Sequence, residues 1–139
     1  MGATVASARI LVVEDFPPFS QFISSTLRER PEWQIICDVS DGLEAVQKAE
    51  ALQPDLILLD IGLPKLNGLE AARRIGKLAP QSKILFVSQE SSADVVREAL
   101  CLGGRGYVLK AQAQRDLLAA VEAVLEGKQF VSNGLAGYV

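Results

Sequence analysis

Apolar residues fall into two alternating patterns along this chain. The first is short and dense: Arg9–Val13, Trp33–Val39, Asp55–Leu59, Lys83–Val87 and Gly106–Leu109 are rich in β-branched and large aliphatic side chains. The third and fourth runs carry no polar alternation, which predicts strands covered on both faces, as in a parallel sheet. The second pattern has helical spacing: Phe19, Phe22, Ile23 and Leu27; Leu43, Val46 and Ala49; the stretch Asn67–Leu78; Val95, Val96, Ala99 and Leu100; then Leu117, Leu118, Val121, Val124 and Leu125. Punctuation residues agree with these limits. Pro17 suits the first position of a helix, and Pro31 lies just beyond that helix. Asp41 and Asn67 are placed as N-caps, Gly103 and Gly104 stop the fourth helix, and Gly127 is a C-cap.

Five strand–helix units in succession predict an α/β fold with right-handed crossovers and a doubly wound parallel sheet. The expected order for five such strands is 2-1-3-4-5, the flavodoxin-like arrangement, with helices on both faces. The predicted domain covers residues 9–127. Residues 1–8 are expected to be a disordered lead-in and residues 128–139 a C-terminal tail. No internal repeat or second domain is discernible.

Composition narrows the function. With 139 residues and 49% apolar content, the chain can build a core without staples. A net charge of −3 gives no electrostatic footprint for nucleic acid, so no direct DNA or RNA binding by this chain is expected. There is no histidine, which removes Ser–His and Cys–His nucleophile pairs and His-based zinc sites. Cys37 and Cys101 lack metal-site spacing and are expected to be buried, reduced thiols. The N-terminus has no signal-peptide pattern, and Ala6 breaks the myristoylation motif that Gly2 would open. No apolar run approaches the ~20 residues of a membrane span. A soluble, cytoplasmic protein is expected.

The chemistry lies at the predicted strand ends. Strand one ends at Glu14 and Asp15, strand three at Asp60, strand four at Ser88 and strand five at Lys110. In a parallel sheet these side chains converge on one rim. Crowded carboxylates repel one another, and a hard divalent cation such as Mg²⁺ relieves that repulsion. Aspartate can act as a nucleophile toward phosphorus. Lys110 offers a point charge and Ser88 a hydroxyl to phosphoryl oxygens. The set reads as a phosphoryl-transfer site.

The same residues carry a family resemblance. Glu14 and Asp15 after an apolar strand, Asp60 followed by Pro64 and Gly68, Ser88 closing strand four, and Tyr107 three residues before Lys110 together resemble the receiver domains of two-component response regulators. The match runs from about Arg9 to Gly127. It implies that Asp60 is the phosphoacceptor, that Asp15 binds Mg²⁺ directly and Glu14 through water, and that the Gly62 carbonyl completes the metal shell. It also implies that Ser88 and Lys110 contact the phosphoryl group and that Tyr107 changes rotamer as Ser88 moves inward. The implied phosphodonor is a sensor histidine kinase or a phosphotransfer protein, and a homodimer is an implied output. The domain would catalyse only its own phosphorylation and dephosphorylation. Ala111 stands where many receivers have proline after the lysine. With Gly103–Tyr107, this resembles the NarL/FixJ (LuxR-type) subfamily, in which a DNA-binding output domain usually follows.

Other readings of the same residues remain. Asp15 can be a helix N-cap, Ser88 can start a turn, Lys110 can be a solvated loop residue, and Tyr107 can be a core aromatic. A docking-only pseudo-receiver has the same fold. A flavin or nucleotide binder is disfavoured: Glu14 and Asp15 repel phosphate, and Pro17 and Pro18 remove amide donors. An aspartate-based phosphatase would resemble a DxD arrangement, but Gly62 occupies the second position.

Overall fold

The computed structural model describes residues 7–135. The expectation of a disordered lead-in therefore falls mostly outside the described residues, at 1–6. At its inner end it needs correction. Strand β1 spans Ala8–Val13, and Ala8 is buried with its N–H donating to the Glu32 carbonyl.

The chain then alternates: α1 Pro17–Leu27, β2 Trp33–Val39, α2 Gly42–Leu52, β3 Leu56–Leu59, α3 Gly68–Leu78, β4 Lys83–Ser88, α4 Ala93–Cys101, β5 Gly104–Leu109, a single 3-10 turn Lys110–Gln112, α5 Ala113–Leu125 and β6 Phe130–Val131. All pairings are parallel, in the order β2-β1-β3-β4-β5-β6. The predicted doubly wound order is present, with one strand more than expected.

Side-chain alternation along the strands splits the core in two. Leu11, Val13, Ile57, Leu59, Phe86 and Tyr107 face Ala45 and Ala49 of α2, Ala71 and Ile75 of α3, and Val96 and Ala99 of α4. Ile10, Val12, Leu56, Leu58, Leu85 and Val108 face Ile23 and Leu27 of α1 and Leu117 and Val121 of α5. Every residue of β3 is buried, which explains its unbroken apolar run.

The helix ends follow the chemistry read from the sequence. Asp41 and Asn67 accept hydrogen bonds from the backbone N–H groups of Glu44 and Glu70. After α5, Gly127 takes a φ of +85°. Its N–H reaches Val124 O and the Lys128 N–H reaches Ala123 O, the paired bonds of a Schellman motif. Cys101 does not fit the expectation of burial. It ends α4, whose core face carries Val96 and Ala99, and two positions beyond Ala99 the helix points outward. Cys37 is half-buried, and both thiols are free.

The proposed tail also needs correction. Phe130 and Val131 extend the sheet beyond β5, and Leu135 is buried in the core that contains Tyr107. A two-residue strand followed by polar and turn residues has too short a pattern to read as structure in sequence. Its anchor is Ser132, which is fully buried. The Ser132 N–H donates to Tyr107 O, its hydroxyl donates to Asp116 Oδ2 at 2.9 Å, and it accepts from the Leu109 N–H at 3.2 Å.

This latch gives a testable dependence on pH. Arg115, and then Ser132, hold the Asp116 carboxyl below its ordinary value of 3.8. A lowered carboxyl contributes stability above the unfolded-state value and loses it as pH falls through the folded-state value. Ser132→Ala is expected to cost about 1–3 kcal/mol near neutrality, because it orphans buried partners. In urea unfolding, the part of that difference that comes from Asp116 ionisation should shrink as pH falls below 3.8.

Candidate functional site

The C-terminal ends of β1, β3, β4 and β5 deliver Glu14, Asp15, Asp60, Ser88 and Lys110 to one rim of the sheet. A pocket there is lined by Asp15, Phe16, Asp60, Gly62, Ser88 and Lys110, among others. Gly68 makes the rim close-packed. A Cβ at that position would lie 2.0 Å from the Asp60 carbonyl oxygen, so only glycine lets α3 begin directly against the end of β3.

Glu14, Asp15 and Asp60 can each present a carboxylate oxygen with all three within 4.8 Å of one another. Glu14 and Asp60 are buried, whereas Asp15 is exposed. Lys110 bridges the two buried acids. Its Nζ lies 2.9 Å from Glu14 Oε1 and 3.0 Å from Asp60 Oδ2. The other Asp60 oxygen, Oδ1, accepts the Ile61 N–H at 2.7 Å, and Glu14 also accepts from the Phe16 N–H. Burial pushes the Glu14 carboxyl up, and the hydrogen bond from Lys110 only partly offsets this. Burial works against the Lys110 ammonium, but the hydrogen bonds to Glu14 and Asp60 outweigh it and hold its pKa above the ordinary value.

These positions decide several of the alternatives. Asp15 is not a cap: Phe16 is the N-cap of α1, and no side chain bonds there. Lys110 is not a solvated loop lysine. Ser88 serves both readings, since it lines the pocket and its hydroxyl also accepts the Glu90 N–H at 3.1 Å. Gly62 lies on the exposed loop at the pocket edge.

Tyr107 is fully buried and stacks on Phe86 with ring centroids 6.1 Å apart. Its hydroxyl donates to the Glu90 carbonyl at 2.7 Å. The Glu90 backbone thus joins Ser88 on one side to Tyr107 on the other. Four lining residues, Phe16, Phe19, Gln89 and Glu90, were not among the sequence candidates. The phenylalanines register in the sequence only through helical periodicity or not at all, and Gln89 and Glu90 follow Ser88 on the loop after β4.

The model of the response regulator receiver domain matches residues 10–122. The chain belongs to this family. Transcriptional regulatory protein DegU of Brevibacillus brevis is 33% identical over 123 residues, covering 88% of this chain and 52% of that protein. The nitrate/nitrite response regulator protein NarL of Escherichia coli is 31% identical over 128 residues, covering 92% of this chain and 59% of that protein. The receiver thus spans little more than half the length of these curated relatives. A LuxR-family two-component response regulator from an Aurantimonas species superposes with a TM-score of 0.90 at 28% identity, covering 96% of this chain and 95% of that one. These similarities agree with the LuxR-type resemblance of the sequence. Among the described residues, no helix is long and apolar enough to cross a membrane.

The buried phenol supplies a second prediction. Burial, first, raises Tyr107 to about 12. The neutral phenol therefore contributes stability that is whole below the free-phenol value of roughly 10 and is lost as pH rises through about 12. Tyr107→Phe should cost about 1 kcal/mol at neutral pH through the lost hydrogen bond. In alkaline unfolding titrations that deficit should shrink as pH climbs between these two values.

Proposed function

We propose that this receiver accepts a phosphoryl group on Asp60, with Mg²⁺ held at the rim, and that the event is relayed to an output surface. The observation that carries this reading is the Lys110 bridge between Asp60 and Glu14, inside a group of three converging carboxylates. A purely structural rim would not concentrate so many acids around one ammonium.

The donor set suits the ion. Asp15, Glu14, Asp60 and the Gly62 carbonyl offer only oxygen, as Mg²⁺ prefers. Bound there, the ion would offset charge on the phosphoryl oxygens and align the donor. This chain's own residues supply the rest. The Ile61 N–H fixes Asp60 through Oδ1, leaving Oδ2 as the oxygen paired with Lys110. In transfer from a phosphohistidine, an Asp60 oxygen forms the new O–P bond. The N–P bond breaks, and its electron pair returns to the imidazole. Lys110 then turns its ammonium to a phosphoryl oxygen, and Ser88 offers its hydroxyl to another.

The relay follows from shared partners. When Ser88 turns to the phosphoryl group it gives up the Glu90 N–H, and the Glu90 carbonyl is the acceptor that holds the Tyr107 hydroxyl. Movement at Ser88 thereby biases Tyr107 and the surface around β5. A sensor histidine kinase or phosphotransfer protein is the proposed donor, since this chain has no histidine of its own. The domain turns over no separate substrate. The names of its relatives favour transcription control, and an attached DNA-binding domain with a receiver homodimer is the proposed output form.

Incubation with acetyl phosphate and Mg²⁺ followed by intact-mass measurement tests the reading. The wild type should gain one phosphoryl mass, and Asp60→Asn or added chelator should abolish the gain. No gain with any of a panel of small phosphodonors would instead favour a receiver used only for docking.

A further inference from the structure

The site described so far is built from strand ends, yet one contact comes from a helix. The Lys110 ammonium lies 4.8 Å from the centroid of the Phe19 ring. We propose that Phe19 is a positioning residue for Lys110, holding its ammonium over Asp60 through the face of the ring. This inference rests on the phosphoacceptor reading of Asp60.

The geometry supports it in three ways. First, Lys110 has three N–H donors, and its hydrogen bonds go to Glu14 and Asp60, leaving one side of the ammonium free for an aromatic face. A separation of 4.8 Å is within the range where a ring quadrupole attracts a cation. Second, the ring itself is braced. Phe19 sits in the first turn of α1 behind Pro17 and Pro18, whose fixed φ angles stiffen that turn, and its N–H donates to Phe16 O at 3.0 Å. Phe22, one turn on, packs against it with centroids 5.4 Å apart. Third, Phe19 is only half-buried and lines the pocket itself. The helical periodicity marks it as a core residue, but its ring is shared between the core and the rim.

A ring suits this task better than another carboxylate would. Lys110 follows β5 on a flexible four-carbon stem and has two anions competing for it. A third anion would lock the ammonium away from an arriving phosphoryl group. The aromatic face attracts the cation more weakly than an ion pair does and takes none of its protons. It keeps the ammonium near Asp60 and lets it transfer to phosphoryl oxygens.

The test has two arms. In the first, acetyl-phosphate uptake is followed for the wild type, Phe19→Leu, Phe19→Tyr and a series with fluorinated phenylalanines at position 19. Thermal unfolding checks that each variant is folded. Phe19→Leu is expected to slow phosphorylation by about three- to tenfold, and Phe19→Tyr to retain the wild-type rate. Fluorination, which drains the ring face with little change of size, should slow the rate in steps. Equal rates across folded variants would overturn the proposal, as would slowing that tracks thermal stability rather than fluorine content. The second arm needs no phosphorylation. The Lys110 ε-methylene protons should show an upfield ring-current shift in the wild type that disappears in Phe19→Leu, and an unshifted wild type would overturn the contact. If the wild type takes up no phosphoryl group, the Asp60 chemistry has failed, and this NMR arm alone decides the placement of Lys110.

Discussion

One ammonium holds the working end of this domain together. Lys110 reaches carboxylates that lie 96 and 50 residues earlier in the chain, just beyond the ends of the first and third strands. Carboxylates packed this closely would repel one another, and two of them are largely withdrawn from water. The cation lowers that cost, and the backbone N–H groups of Phe16 and Ile61 lower it further. The acidic charge of the site is thus partly balanced by its own residues before any ligand arrives, and a change in charge at Asp60 must rearrange those partners.

That balance requires the strand ends to be fixed. Burial of β3 on both faces and the two separate cores do this, because slipping a parallel strand by one residue would turn its side chains into the wrong core. The close approach of Gly68 to the Asp60 carbonyl then leaves the β3–α3 loop little freedom. The sheet thus holds the rim side chains at fixed starting points.

The strand order is the usual one for such folds and is not read from the residues. The sequence carried the doubly wound parallel class and every strand-end candidate, for a simple reason. In a parallel doubly wound fold the strand termini all lie on one side, so knowing where each apolar run stops is enough to assemble Asp15, Asp60, Ser88 and Lys110. Other features were not legible because they depend on contacts between elements. Phe19 fits a helical apolar stripe, and nothing in its spacing reveals that Lys110 will sit against its ring. Phe130 and Val131 form too short a run to read as a strand, and Ser132 gains meaning only once Asp116 and Leu109 are beside it. Cys101 lies in an apolar stretch but ends its helix facing outward.

The sixth strand has a mechanical consequence. Ser132 bonds the carbonyl of Tyr107 and the N–H of Leu109, which immediately precedes Lys110. The tail is therefore bolted to the same short stretch of backbone that carries Tyr107 and Lys110. Any free energy by which a change at the rim alters the hold on the tail is matched by an equal effect of the tail on the rim. Residues 130–135 are tethered to the backbone that leads into Lys110.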